Sequence, residues 1–243
     1  MTVPRPSRLP ARSRTLADNA YHRLRDSIVT LRLAPGAPLT ELDLCSRLRI
    51  SRTPIRTALL RLQQEGLVSA AGSPRSGRLA VAPLTADDMK ELFLLVGALD
   101  GVAARLAAGL EASTRATLAD EAAALNERLR QLSAGTDLEA IRGAQDLDLQ
   151  FHRCYEAAAS GPRLLAKLRA LHAQRERYVR VYTEALIHAH GVQDSLDEHD
   201  AILAAIRAGD GDAAERHANF NYRNALERYH RIVSTYGDRG SWA

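Results

Sequence analysis

The sequence predicts a mainly α-helical protein: a small head of three helices closed by a β-hairpin, followed by an all-helical antiparallel bundle of about six helices. Three observations predict it. Apolar residues recur with helical period from Thr15 almost to the end, and strand-like patterning appears only between Leu67 and Ala82. Gly, Pro and Asp separate the periodic stretches at short intervals. Charge divides the same way: residues 1–84 hold 14 Lys and Arg against 5 Asp and Glu, net +9, whereas residues 85–243 hold 19 against 24, net −5. The first part suits a polyanion and the second does not.

Hydrophobic residues make up 46% of the chain, which supports a real core and excludes disorder throughout. Two cysteines, Cys45 and Cys154, give neither a disulfide framework nor a zinc motif and read as small core hydrophobes in a reducing cytosol. No run of about 18 apolar residues exists and no apolar stretch follows the basic start, so neither a membrane span nor a signal peptide is expected; the expected location is cytoplasmic. The opening "MTVPRPSRLPARSR" carries three prolines and four arginines, and residues 1–14 read as a disordered basic arm.

The head is expected over residues 15–84. In "TLADNAYHRLRDSIVTLRLAPG", Leu16, Ala20, Leu24, Ile28 and Leu31 form one stripe that stops at the turn signal Pro35-Gly36. A short second helix fits "LTELDLCSRLRI", with Leu42, Cys45 and Leu48 inward. The third, "SRTPIRTALLRLQQEGLV", has Ser51 as N-cap, Pro54 in the first turn and Gly66 as its stop. Its buried stripe is Ile55, Leu59 and Leu62, which leaves Arg52, Thr53 and Arg56 on the outer face near the helix start. An Arg there can bond two acceptors on a guanine edge, and the helix N-terminus can approach phosphates. Two apolar strands, Leu67 to Ala70 and Leu79 to Ala82, then flank a Gly/Ser/Pro/Arg tip, a hairpin whose Arg75 and Arg78 can reach the DNA backbone or minor groove. Three helices and a hairpin in this order make a winged helix-turn-helix.

These residues resemble the GntR superfamily of bacterial transcriptional regulators, through "L.PG..L.E..L...L.ISRTPIR.AL.RL..EGLV" between Leu33 and Val68 and "SGRLAVAPLT" after it. The resemblance implies a double-stranded DNA operator contacted by Ser51, Arg52, Thr53 and Arg56, with Gly77 of the wing entering the minor groove. Arg49 is a departure, because relatives place a glycine in that turn; a left-handed backbone there is strained with Arg.

The helical domain is expected over residues 85–236, with residues 237–243 as a tail. Thr85 and Asp88 make a capping-box-like start, and six helical stretches follow, beginning at Ala86, Ser113, Thr136, Pro162, Asp194 and Gly211. Within the third, "DLDLQFHRCYEA" sets Asp148 and His152 four apart on one helical face. By spacing alone that pair fits half of a metal site, an acid–base pair or a satisfied core contact. The order of helices resembles the FadR-like branch of the superfamily and its FCD effector domain. The resemblance implies that Asp148, His152 and His199, the last in "DEHDAILAAIRAGD", hold a divalent cation such as Zn, Ni, Mn or Fe. Its fourth landmark, usually a histidine, falls on Asn221, with His217 one turn earlier. Gln174, Arg175, Tyr178 and Tyr182 follow helical spacings, and Arg175, Tyr178 and Tyr182 are candidates for lining an effector cavity. Relatives that bind carboxylates carry an Arg near the position of Val96.

The expected function is a ligand-responsive, DNA-binding regulator, a repressor acting as a homodimer, with a small-molecule metabolite as effector and no membrane partner. The apolar first bundle helix is the expected place for part of the dimer contact. A regulator with a metal-free pocket, or a metal-dependent enzyme fused to a DNA-binding head, are the alternatives.

Overall fold

The computed structural model describes residues 15–71, 77–133, 135, 137–182 and 192–240. Helix α1 (Leu16–Val29) opens on a capping box in which Thr15 and Asp18 satisfy one another's backbone N–H groups. Ala20, Leu24 and Ile28 are buried, while Leu16, in the first turn, projects past the core and is exposed. A two-residue strand β1 (Pro38–Leu39) precedes α2 (Glu41–Leu48), which Thr40 caps. Leu42 does not point inward as expected: it is 71% exposed, and Leu44 occupies the core instead. The inward face of this short helix runs through Leu44, with Cys45 and Leu48 packed against it. Helix α3 (Arg52–Gln64) buries Ile55, Ala58, Leu59 and Leu62 against α1.

Strands β2 (Val68–Ala70) and β3 (Leu79–Val81) form the expected hairpin, pairing Val68 with Val81 and Ala70 with Leu79. The sheet has a third member, because β1 pairs antiparallel with β3 and gives the order β1-β3-β2. Two residues are too few to show strand alternation, so β1 carries no periodic signal.

The helical domain comprises α4 (Ala86–Ala108), α5 (Ala112–Leu132), α6 (Leu138–Ala159), α7 (Pro162–Val181), α8 (Val192–Ala208) and α9 (Gly211–Tyr236). Helix α4 lies along α9 and also touches α6, α7 and α8. Its close approach to α9 depends on Gly97 and Gly101: a Cβ at Gly97 would sit 2.9 Å from Tyr222 Cβ, and one at Gly101 would sit 3.2 Å from the Glu215 carbonyl. No helix among the described residues is long and apolar enough to cross a membrane.

Helix α7 joins the two domains. Its Ala173 is buried in the core of the head, and Gln174 packs on Gly66 just past the end of α3. Arg177, fully buried, donates to the carbonyl of Ala82. The Tyr178 hydroxyl accepts from the Thr85 N–H at 3.1 Å and donates to Asp88 Oδ2 at 2.6 Å. The C-terminal segment is tied to the same region. Leu84 and Arg239 exchange backbone hydrogen bonds of 2.8 and 2.9 Å, Asp238 caps Ala86, and Gly240 (φ 73°) packs backbone to backbone on Pro35 and Gly36. Residues 238–240 therefore belong to the packed structure, although the sequence reads them as tail.

Candidate functional site

On the head, Ser51 takes the N-cap backbone conformation of α3, but its hydroxyl makes no capping bond. Arg52, Thr53 and Arg56 lie exposed on the outer face, as the burial of Ile55 and Leu59 requires. Arg56 Nε donates to Glu41 Oε1 of α2 at 2.6 Å. Arg49, between the two helices, adopts the left-handed region (φ 56°, ψ 44°). In the wing, Gly77 also has positive φ (59°) with open space around its Cα, and Arg78 is exposed; Arg75 lies outside the described residues, as does the basic arm.

Inside the bundle, Asp148 and His152, one turn apart on α6, converge with His199 of α8, and one ligand atom from each lies within 4.8 Å of the others. Both imidazoles are buried, and the Asp148 side chain is a quarter exposed. Hydrogen bonds fix which nitrogen each ring offers. Tyr155 donates its proton to Asp100 Oδ2 (2.5 Å) and lies 2.8 Å from His152 Nδ1, which is also 3.3 Å from Asp100. His152 Nδ1 therefore carries a proton, which leaves Nε2 as the nitrogen open to a further partner.

His199 is set in the same way. Asn126 gives its amide protons to Asp200 Oδ1 (2.7 Å) and the Leu196 carbonyl (3.2 Å), so its Oδ1 accepts from His199 Nδ1 at 3.0 Å. His199 Nε2 has no hydrogen-bond partner and stands 3.6 Å from Asp148 Oδ1. Burial, with His152 beside it, pushes the His199 imidazole down to about 3, so it is neutral near pH 7. Burial would raise Asp148, but Arg175, which donates to its Oδ2 at 3.1 Å, and the two imidazoles hold the carboxyl well below its ordinary value. Burial disfavours the charged form of His152, yet Asp100 together with Asp148 outweighs it and raises that ring, so a metal bound there would displace a proton from Nε2. An ionised carboxylate, a neutral imidazole whose buried Nε2 has no partner, and a second imidazole that a cation would deprotonate fit a divalent transition metal. Asp100 and Asn126 each hold the Nδ1 of one of these rings, the position from which a hydrogen-bond partner orients a ligating histidine in metal centres generally.

Other expected site residues are placed differently. The buried Asn221 donates its amide to Glu198 Oε2 at 2.7 Å, and His217 is exposed. Tyr178 serves the linker at Thr85 and Asp88, and the Tyr182 hydroxyl donates to the Gly237 carbonyl. Of the proposed effector-binding residues, Arg175 alone is in hydrogen-bond contact with the cluster. Sequence reasoning missed Asp100, Tyr155, Asn126 and Tyr222, whose ring centroid is 5.0 Å from that of His152. Asp100 had a signal, a lone carboxylate within the apolar run "FLLVGALDGVAARLAA". A second buried pair, His172 Nε2 and Glu156 Oε1 at 2.6 Å, links α7 to α6 nearby.

Comparison with known proteins accounts for both domains. The description "Bacterial regulatory proteins, gntR family" matches residues 16–75, and "FCD domain" matches residues 76–220. An HTH-type transcriptional regulator of Agrobacterium vitis is 30% identical over 141 residues, 58% of this chain and 79% of that one. The probable D-xylose utilization operon transcriptional repressor of Paenarthrobacter nicotinovorans is 28% identical over 184 residues, 76% of this chain and 75% of that one. The HTH-type transcriptional repressor RspR of Escherichia coli K12 is 26% identical over 198 residues, 81% of each chain. Among solved structures, E. coli McbR/YncC superposes with a TM-score of 0.67 over 92% of this chain and 99% of that one, at 21% identity, a likeness of fold. A DNA-reading head on an FCD bundle, matched in both parts, makes this chain a transcriptional regulator belonging to the GntR family.

Proposed function

We propose that this regulator is an effector-responsive repressor whose helical domain holds a divalent metal ion on Asp148, His152 and His199. The observation that carries the reading is the directed, unpartnered Nε2 of His199 facing Asp148, with both histidine tautomers fixed by Asn126 and the Asp100–Tyr155 pair. Asn221 is the candidate for a fourth ligand, since His217 is exposed. A metal held this way supplies Lewis-acid coordination for an oxygen-bearing metabolite, and Arg175 beside Asp148 supplies a buried positive charge for an anionic group. Relatives named as repressors support repression here.

Ser51, Arg52, Thr53 and Arg56 contact the operator, with Gly77, Arg75 and Arg78 of the wing beside them. The active unit is a homodimer that reads two half-sites. Helix α4 supports this, because Leu94, Leu95, Val102 and Leu106 are exposed along it, an apolar face that a second copy would cover.

Elemental analysis of purified protein tests the metal. About one divalent ion per chain is expected, and His152→Ala and His199→Ala should each lose it while keeping helical circular dichroism. Absence of a stoichiometric ion, or retention by both variants, refutes the centre.

A further inference from the structure

We infer that Glu41 is a specificity-positioning residue of the DNA-reading surface, fixing Arg56 so that it reads a base edge rather than serving as a general phosphate contact. The inference rests on the reading of Arg56 as an operator contact. Arg56 lies one turn into α3, and its side chain is 73% exposed. An exposed arginine ordinarily samples many rotamers and is attracted to any phosphate within reach. Here Glu41 Oε1 holds Nε at 2.6 Å. With Nε engaged, the guanidinium offers one bidentate edge, its two terminal nitrogens, which matches the O6 and N7 acceptors of guanine.

The holder is itself fixed. Glu41 is the first residue of α2, where the helix N-terminus favours its negative charge, and α2 is anchored by the burial of Leu44. Stability does not explain the pair, since exposed ion pairs contribute little. A carboxylate on this surface also opposes phosphate binding, in a head that otherwise carries strong positive charge. Its partner would be weakened for non-specific contacts, where only charge counts, and retained for a guanine edge, where geometry counts. Arg52, on the same outer face, has no ion-pair partner among the described residues and marks the contrast.

The test uses the full chain and an operator duplex selected with the wild-type protein from a random library. Affinities are measured for that duplex, for each of its single base-pair variants and for a scrambled duplex, over a salt series. Arg56→Ala first identifies the base pair that Arg56 reads, as the position where discrimination collapses. At that base pair, Glu41→Ala should lose roughly tenfold in discrimination, bind the scrambled duplex as well as or better than wild type, and melt at the wild-type temperature. Glu41→Gln keeps an acceptor for Nε and should retain most of the discrimination while gaining scrambled-duplex affinity. If Arg56→Ala shifts discrimination but both Glu41 variants match wild type at that base pair, the positioning role is wrong and the operator contact stands. A fall in melting temperature with uniform loss of binding assigns Glu41 to structure and overturns the inference. If Arg56→Ala changes discrimination nowhere, the reading of Arg56 fails and the inference with it.

Discussion

Arg49 holds a backbone conformation that most side chains avoid, with φ 56° and ψ 44° at the end of α2. Its carbonyl-side crowding is absent in glycine, so Arg49→Gly should stabilise the protein by about 1 kcal/mol, seen as a higher denaturant midpoint at unchanged slope. DNA affinity measured on the same variant separates any phosphate contact by the arginine from its backbone strain. At the proposed metal centre, Asn126→Ala removes the acceptor that fixes the His199 ring, and the affinity for Zn should fall roughly 10- to 100-fold. Competition with a chromogenic chelator would register that loss; an unchanged affinity would remove Asn126 from the centre. The contrast between these residues shows what sequence can carry. Asp148 and His152 are visible because one helical turn separates them, and His199 is visible within a motif. Asn126 and Asp100 meet their histidines from 73 and 52 residues away, and no local spacing encodes such an encounter.

At the scale of elements, the contact between α4 and α9 sets how closely Tyr222 approaches His152. Gly97→Ala places a methyl 2.9 Å from Tyr222 Cβ, an atom fixed to the helix and unable to swing aside. Alanine favours the helix intrinsically, but overpacking outweighs it, and a net loss of about 1–2 kcal/mol is expected. Thermal unfolding measures the loss, and a weaker metal affinity in the same variant would report Tyr222 displaced from the centre. Helix positions were legible throughout because the apolar period persists along each one. The face of α2 was misread at Leu42, since eight residues leave little room to distinguish one stripe from its neighbour. Strand β1 was illegible for the same reason, its pairing being dictated by β3 rather than by its own two residues.

For the whole molecule, the proposed dimerisation through α4 predicts that Leu95→Glu with Val102→Glu yields a folded monomer. Sedimentation velocity should register half the mass, and operator affinity should drop as the second half-site is lost; a dimer that survives both charges would move the interface elsewhere. Coupling between the halves has a physical route in α7, which bears Arg175 against Asp148 and, two residues on, Arg177 against the Ala82 carbonyl. The closing residues bear on how the protein is handled at the bench. Arg239 bridges Leu84 and Gly240 rests on the Pro35-Gly36 turn, so a tag joined directly after Gly240 would abut a seam between head and bundle. Such a tag should weaken operator binding, and measurements of how the bundle acts on the head are best made with residues 238–240 left unencumbered.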